Sequence, residues 1–146
     1  MGSAFAYYAH QLYLPVPRPM LEFGLYGWTP AYGYTYVHPA NRRTFEWVEP
    51  VNKVFEKIRE DDEWITLRYD EQQYLVRPEL FRPIRRPPFG FGDAVEAVAM
   101  EPGQPRLRGV VSDIFWDESR DQARYQIVVR KKKVPQVFEA DELRAS

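Results

Sequence analysis

Apolar and polar residues alternate through most of this chain with the period of two that half-buried strands show, and helical spacing is confined to one short stretch. Leu21, Phe23 and Leu25 alternate with Glu22, Gly24 and Tyr26, which predicts a short strand. Gly27, Pro30 and Gly33 punctuate the loop that follows. Tyr34 and Tyr36 then alternate with Thr35 and Val37 before His38-Pro39. Proline is favoured at the first helical position, because the N–H it lacks would be unpaired there. A helix is therefore predicted over 39–49, with Phe45 and Val48 turned inward and Pro50 ending it. A three-stranded meander is expected over 51–81, its strands at Val54–Ile58, Trp64–Tyr69 and Gln73–Val76. Asp61-Asp62 and Asp70-Glu71 form its turns, and Pro78-Glu79-Leu80-Phe81 closes it with one helical turn.

The same period runs through the last third. Strands are predicted at Ala94–Ala99, Gly109–Trp116, Tyr125–Val129 and Val134–Phe138. Glu101–Pro105 reads as a loop, Asp117–Gln122 and Lys131–Lys133 as turns, and Asp141-Glu142-Leu143 as a final short turn. Between the halves, Arg82-Pro83-Ile84-Arg85-Arg86-Pro87-Pro88 is a stiff connector and the best boundary in the chain. The expected organisation is a flexible extension over 1–19, an α+β part over 20–84 and a β-barrel over 89–146.

Several short motifs occur in order across the last third: Phe91-Gly92-Asp93-Ala94-Val95, Gly109-Val110-Val111, Ile114, Tyr125-Gln126-Ile127 and Asp141-Glu142-Leu143. Together they resemble an SH3-like barrel of the KOW or Tudor kind. The resemblance implies a fold that is mainly β, with a C-terminal SH3-like β-barrel packed on the small meander and its one short helix. Closing so short a sheet would remove its two exposed edges. A barrel of about 60 residues buries only ~60 % of its unfolded surface, so the first half is expected to support it. Small barrels host many activities, so the resemblance does not choose among functions. Trp64-Ile65-Thr66-Leu67 followed by Glu79-Leu80 parallels Tyr125-Gln126-Ile127-Val128 followed by Glu142-Leu143, which makes 54–81 a candidate partial repeat. The whole chain, through the run Gly24–Pro39 and the two β halves after it, also resembles a small bacterial family with no assigned activity.

Composition removes most chemistry. The 146 residues contain no cysteine, which excludes disulfides and thiolate sites and makes the cytoplasm the expected compartment. No stretch approaches the ~20 apolar residues of a membrane-spanning helix. The net charge of −1 lacks the basic excess that a general grip on nucleic acid needs. Charge is unevenly placed: residues 1–38 hold one basic and one acidic residue but ten of the 23 aromatics.

His10 and His38 are the only histidines, too few for a metal or catalytic cluster, and His38 reads as a helix-start residue. No phosphate loop and no nucleophile elbow are present. Asp61-Asp62-Glu63 and Asp117-Glu118 stand in predicted turns, where carboxylates serve turn geometry. No catalytic residue, metal or cofactor is therefore expected. Two surfaces remain. Trp28, Tyr32, Tyr34 and Tyr36, with Trp116, are either core or partner anchors, since Trp and Tyr carry a large apolar face with a polar tip. Arg130-Lys131-Lys132-Lys133, with Arg85-Arg86 nearby in type, is either a solvated turn or a contact for phosphates. The sequence thus points to a non-catalytic binding protein that recognises a protein partner through aromatic surface, or to a nucleic-acid- or ribosome-associated SH3-like module, with an enzyme of unrecognised site a distant third.

Overall fold

Among the described residues the alternating pattern is realised as two antiparallel sheets with one short α-helix, so the protein is mainly β with an α+β N-terminal part. The computed structural model describes residues 21–98, 103 and 106–146. The expected extension over 1–19, His10, the end of the strand expected at Ala99 and most of the loop Glu101–Pro105 lie outside the described residues. The chain divides into two compact units, one holding residues up to Val51 with Phe55–Arg85, the other Asn52–Val54 with Arg86–Ser146.

The first unit contains β1 (Glu22–Tyr26), β2 (Val54–Glu60), β3 (Ile65–Tyr69), β4 (Gln72–Val76) and β5 (Phe81–Pro83), in sheet order β4-β3-β2-β1-β5. The meander is therefore part of a five-stranded sheet. The start of the connector is not free chain: Phe81–Pro83 pairs with β1, and Ile84 N donates to Phe23 O. Pro83 is tolerated there because β5 is an edge strand. The long β1–β2 connection carries the helix α1 (Arg42–Val48), preceded by a single 3-10 turn at Pro39–Asn41. Seven residues are too few for a helix that is stable alone. What holds α1 is Phe45, fully buried, whose ring meets those of Tyr74, Trp28, Tyr26 and Phe55 at 5.1, 5.6, 5.7 and 5.9 Å. Asn41 Oδ1 accepts from Leu75 N, and Val37 bridges to Val76, so the connection also covers the β4 edge.

The second unit contains β6 (Ala94–Ala97), β7 (Arg108–Asp117), β8 (Gln122–Val129), β9 (Lys132–Lys133), β10 (Phe138–Glu139) and β11 (Leu143–Ala145), ordered β10-β8-β7-β6-β11 with β9 also on β8. Val95, Val111, Ile114, Tyr125, Ile127, Phe138 and Leu143 form its core. The Tyr125 hydroxyl accepts from Phe89 N, the rings of the two residues meet edge to face, and burial pushes the phenol up to about 12.

Two expectations are corrected. The fourth strand over Val134–Phe138 is replaced by two two-residue strands, β9 and β10. The closed barrel is not formed: among the described residues no ladder joins β10 to β11, and the sheet stays open. The physical reason is local. β10 and β11 are consecutive and separated only by the 3-10 turn Ala140–Glu142, which redirects the chain, so β10 pairs back to β8 while β11 pairs with β6. The final turn is also followed by a strand that the sequence pattern did not reveal.

Both sheets share one strand order: four strands in succession, a single 3-10 turn, and a last strand returning to pair with the first. Pro78–Leu80 before β5 corresponds to Ala140–Glu142 before β11. The parallel read between Glu79-Leu80 and Glu142-Leu143 is one residue out of register with these turns, since Leu80 ends its turn while Leu143 opens β11.

A Cβ at Gly109 would lie 2.3 Å from Val128 O, so β7 and β8 can pair closely there only without a side chain. Gly109→Ala is expected to cost about 2 kcal/mol or more by forcing the strands apart, measured by urea unfolding. A second expectation concerns alkali. Tyr125 is held neutral by the fold, so the stability this gives is complete below the ordinary value of 10.0 and is lost as pH rises from there towards about 12. Unfolding titrations between these limits should show a smaller alkaline loss for Tyr125→Phe than for the wild type.

Candidate functional site

The β1–β2 connection carries most of the aromatic candidates, and it separates them into core and surface. Trp28 is only 1 % exposed, its Nε1 donates to Gly33 O at 2.9 Å, and its ring meets Tyr34 and Phe45. Gly33 sits at φ 94°, a backbone region open to glycine, and this lets its carbonyl reach the indole. Trp116 is 7 % exposed in the second unit. Of the two readings the sequence left open for these tryptophans, core and partner anchor, their burial matches core and gives each ring a packing role. Tyr36 is half-buried with its ring against Tyr32.

Tyr32 and Tyr34 remain at the surface, 55 % and 40 % exposed. Tyr34 is held in place. Its hydroxyl donates to Glu46 Oε2 at 3.1 Å, which raises its pKa, and its carbonyl accepts from Arg42 Nε. Beside it stands a residue that the sequence reading passed over, Trp47, 81 % exposed on α1. Residues two apart on a helix point to nearly opposite sides. With Phe45 inward, Trp47 must face out, and this was the available signal. Tyr34, Arg42, Arg43, Glu46, Trp47 and Glu49 line a groove of about 760 Å³. Its charges balance, two basic against two acidic.

The other candidates take structural roles. His38 Nδ1 accepts from Ala40 N at the helix start. Its ring and the Arg77 guanidinium both lie against Trp64, at 5.1 and 4.2 Å. Asp61 Oδ1 accepts from Glu63 N and Trp64 N. Asp117 accepts from the Ser119 hydroxyl and from the N–H groups of Ser119 and Arg120, and the first of these bonds leads in holding its pKa low. Both acidic pairs thus build turns. Glu139, Asp141 and Glu142 stand close enough to share an ion, yet Glu139 pairs with Arg120, and Glu139 and Glu142 form a capping box.

Within the basic run, Arg130 and Lys131 both lie at positive φ, 51° and 67°, forming a two-residue hairpin turn between β8 and β9. Asn-Gly suits such a turn best, and long side chains there cost about 1–2 kcal/mol each. Lys133 Nζ is paired with Asp113 Oδ2 at 2.7 Å, so one of the four cations is already compensated. No helix among the described residues is long and apolar enough to cross a membrane.

The two kinds of tryptophan should respond differently to truncation. Trp28→Ala is expected to lose about 3–5 kcal/mol of stability, and Trp47→Ala to stay within about 0.5 kcal/mol of the wild type, both by chemical denaturation.

No curated protein matches the chain, and no solved structure does. Residues 16–144 match a sequence family of unknown function, DUF6960, and the chain belongs to that family.

Proposed function

We propose that the chain is a non-catalytic binding protein of the cytoplasm that recognises a protein partner through the aromatic groove on its first unit. The observation that carries this is Trp47, 81 % exposed beside a Tyr34 already fixed by Glu46 and Arg42. A large amphipathic ring in solvent next to pre-ordered neighbours is the composition of an interface anchor, because little side-chain entropy remains to be lost on binding. With Arg42 and Arg43 balanced by Glu46 and Glu49, the groove suits an apolar side chain of a polypeptide with polar groups on either side. The strand order of the two sheets, with a 3-10 turn before the returning strand, supports describing each unit as SH3-like in topology. Nucleic acid is the weaker alternative, since Lys133 is already paired with Asp113 and the chain carries a net charge of −1.

Affinity capture from native lysate, run in parallel with wild type and Trp47→Ala, tests the proposal. A protein retained by the wild type and lost from the equally stable variant is the expected result. Identical retention by both, or retention of nucleic acid in a salt-sensitive manner, overturns it.

A further inference from the structure

The second unit carries a surface of different character, built on the outer face of its sheet. Residues directly opposite one another on paired strands share a face, as do residues two apart along a strand. One row across the sheet is therefore Ala94, Val110, Val128 and Lys133. The next row is Arg144, Glu96 and Arg108. Residues on the opposite face, Val95, Val111, Ile127 and Leu143, are buried. The outer face stays open: Ala94, Val98 and Val110 are exposed.

Glu96 is 5 % exposed and lies at the centre of three arginines. Arg106 Nη1 and Arg144 Nη2 approach Oε1 at 3.4 Å, and Arg108 Nε approaches Oε2 at 3.7 Å. Burial alone would raise the Glu96 carboxyl, but the hydrogen bond and charge of Arg144, with Arg108 and Arg106, hold it below the ordinary carboxylate range. The arginines themselves are 53 to 71 % exposed. A guanidinium has five N–H donors, so one carboxylate shared by three of them leaves most donors facing water. With Lys133 paired to Asp113 on the same face, four cations meet two carboxylates among the described residues.

We infer that this face is a second docking surface, for an acidic segment of a protein partner. Its arginines, held in place by Glu96, receive carboxylates, while Val98 and Val110, on either side of Glu96 along the sheet, each receive an apolar side chain. Charge complementarity selects an acidic partner, and exposed aliphatic side chains among arginines select a polypeptide. Single-stranded nucleic acid is disfavoured because neither row holds an aromatic ring on which bases could stack.

The probe is a short labelled synthetic peptide alternating glutamate with leucine, titrated into the full chain by fluorescence anisotropy. Binding that weakens with added salt is expected. Arg108→Gln with Arg144→Gln should weaken it tenfold or more, and Glu96→Gln should tighten it severalfold by removing the internal competitor. Melting curves by circular dichroism check that each variant is folded. A purely structural role for Glu96 predicts instead that Glu96→Gln lowers stability with no gain in affinity, which also counts against the inference. The inference is overturned if the peptide does not bind, if the double arginine variant binds it as the wild type does, if Trp47→Ala abolishes the binding, or if single-stranded RNA is bound in preference through the same arginines.

Discussion

Phe45 makes the contacts on which the first unit depends. Its ring reaches four others, from β1, β2, β4 and the loop after β1, so one side chain ties α1 to three strands of a five-stranded sheet. Fully burying a phenylalanine contributes up to about 3 kcal/mol before ring-to-ring geometry is considered. A seven-residue helix has little stability of its own, so α1 exists where Phe45 puts it. The orientation of everything else on that helix follows. Arg42 turns back to the carbonyls of Tyr34 and Val37, Glu46 meets the Tyr34 hydroxyl, and Trp47 is sent outward. The exposed ring is thus a geometric consequence of the buried one.

Each sheet also has an edge to protect. In the first unit, backbone bonds from His38 N to Leu75 O and from Arg77 N to Tyr36 O lay the β1–β2 connection along β4. In the second, β9 and β10 occupy the side of β8 away from β7. Covering an edge with short strands or connecting chain removes unpaired donors and acceptors without requiring closure. That explains how an open sheet of this size can serve where a closed barrel was expected.

The backbone plan was legible in the sequence because alternation, proline and turn residues act locally. Phe23 and Leu25, Pro39, the Asp70-Glu71 turn and the Pro78 turn all fall where pattern alone puts them. What pattern could not provide was pairing. Phe81–Pro83 looks like connector because prolines surround it, and only its ladder with β1 makes it a strand. β11 is three residues long and follows a turn, so it is visible only through its register with β6. The candidate site was half legible for a related reason. An unusual density of Tyr and Trp in 28–36 marks a place where rings gather, but Trp28 and Tyr34 differ in exposure. Trp28 packs on the buried Phe45 while the Tyr34 hydroxyl meets Glu46 at the surface, contacts that pattern alone does not reveal. Trp47 was hidden by its surroundings, since charged neighbours on a helix make a single tryptophan look like core. Arg144 is far in sequence from Arg106 and Arg108 and meets them only because β6 lies between β7 and β11.

Near-neutral overall charge bears on how such surfaces can work. Exposed charges are screened beyond a Debye length of roughly 8–10 Å at physiological salt, so a chain at −1 has no long-range field with which to steer a partner. The uneven local distribution then matters more than the total. Around Trp47 the charges cancel within the groove itself, so shape and apolar contact are what it offers. Around Glu96 they do not cancel, and the excess acts only at contact range. The groove lies on the connection between the first and second strands of its sheet, where α1 sits, whereas of the three arginines only Arg106 precedes β7; Arg108 stands on β7 and Arg144 on β11. In the first unit that connection is much longer than the turns between the other strands, so it can hold side chains that the sheet does not need for its own core. In the second, Arg108 and Arg144 stand on strands whose opposite face is core, at positions that alternation leaves outward.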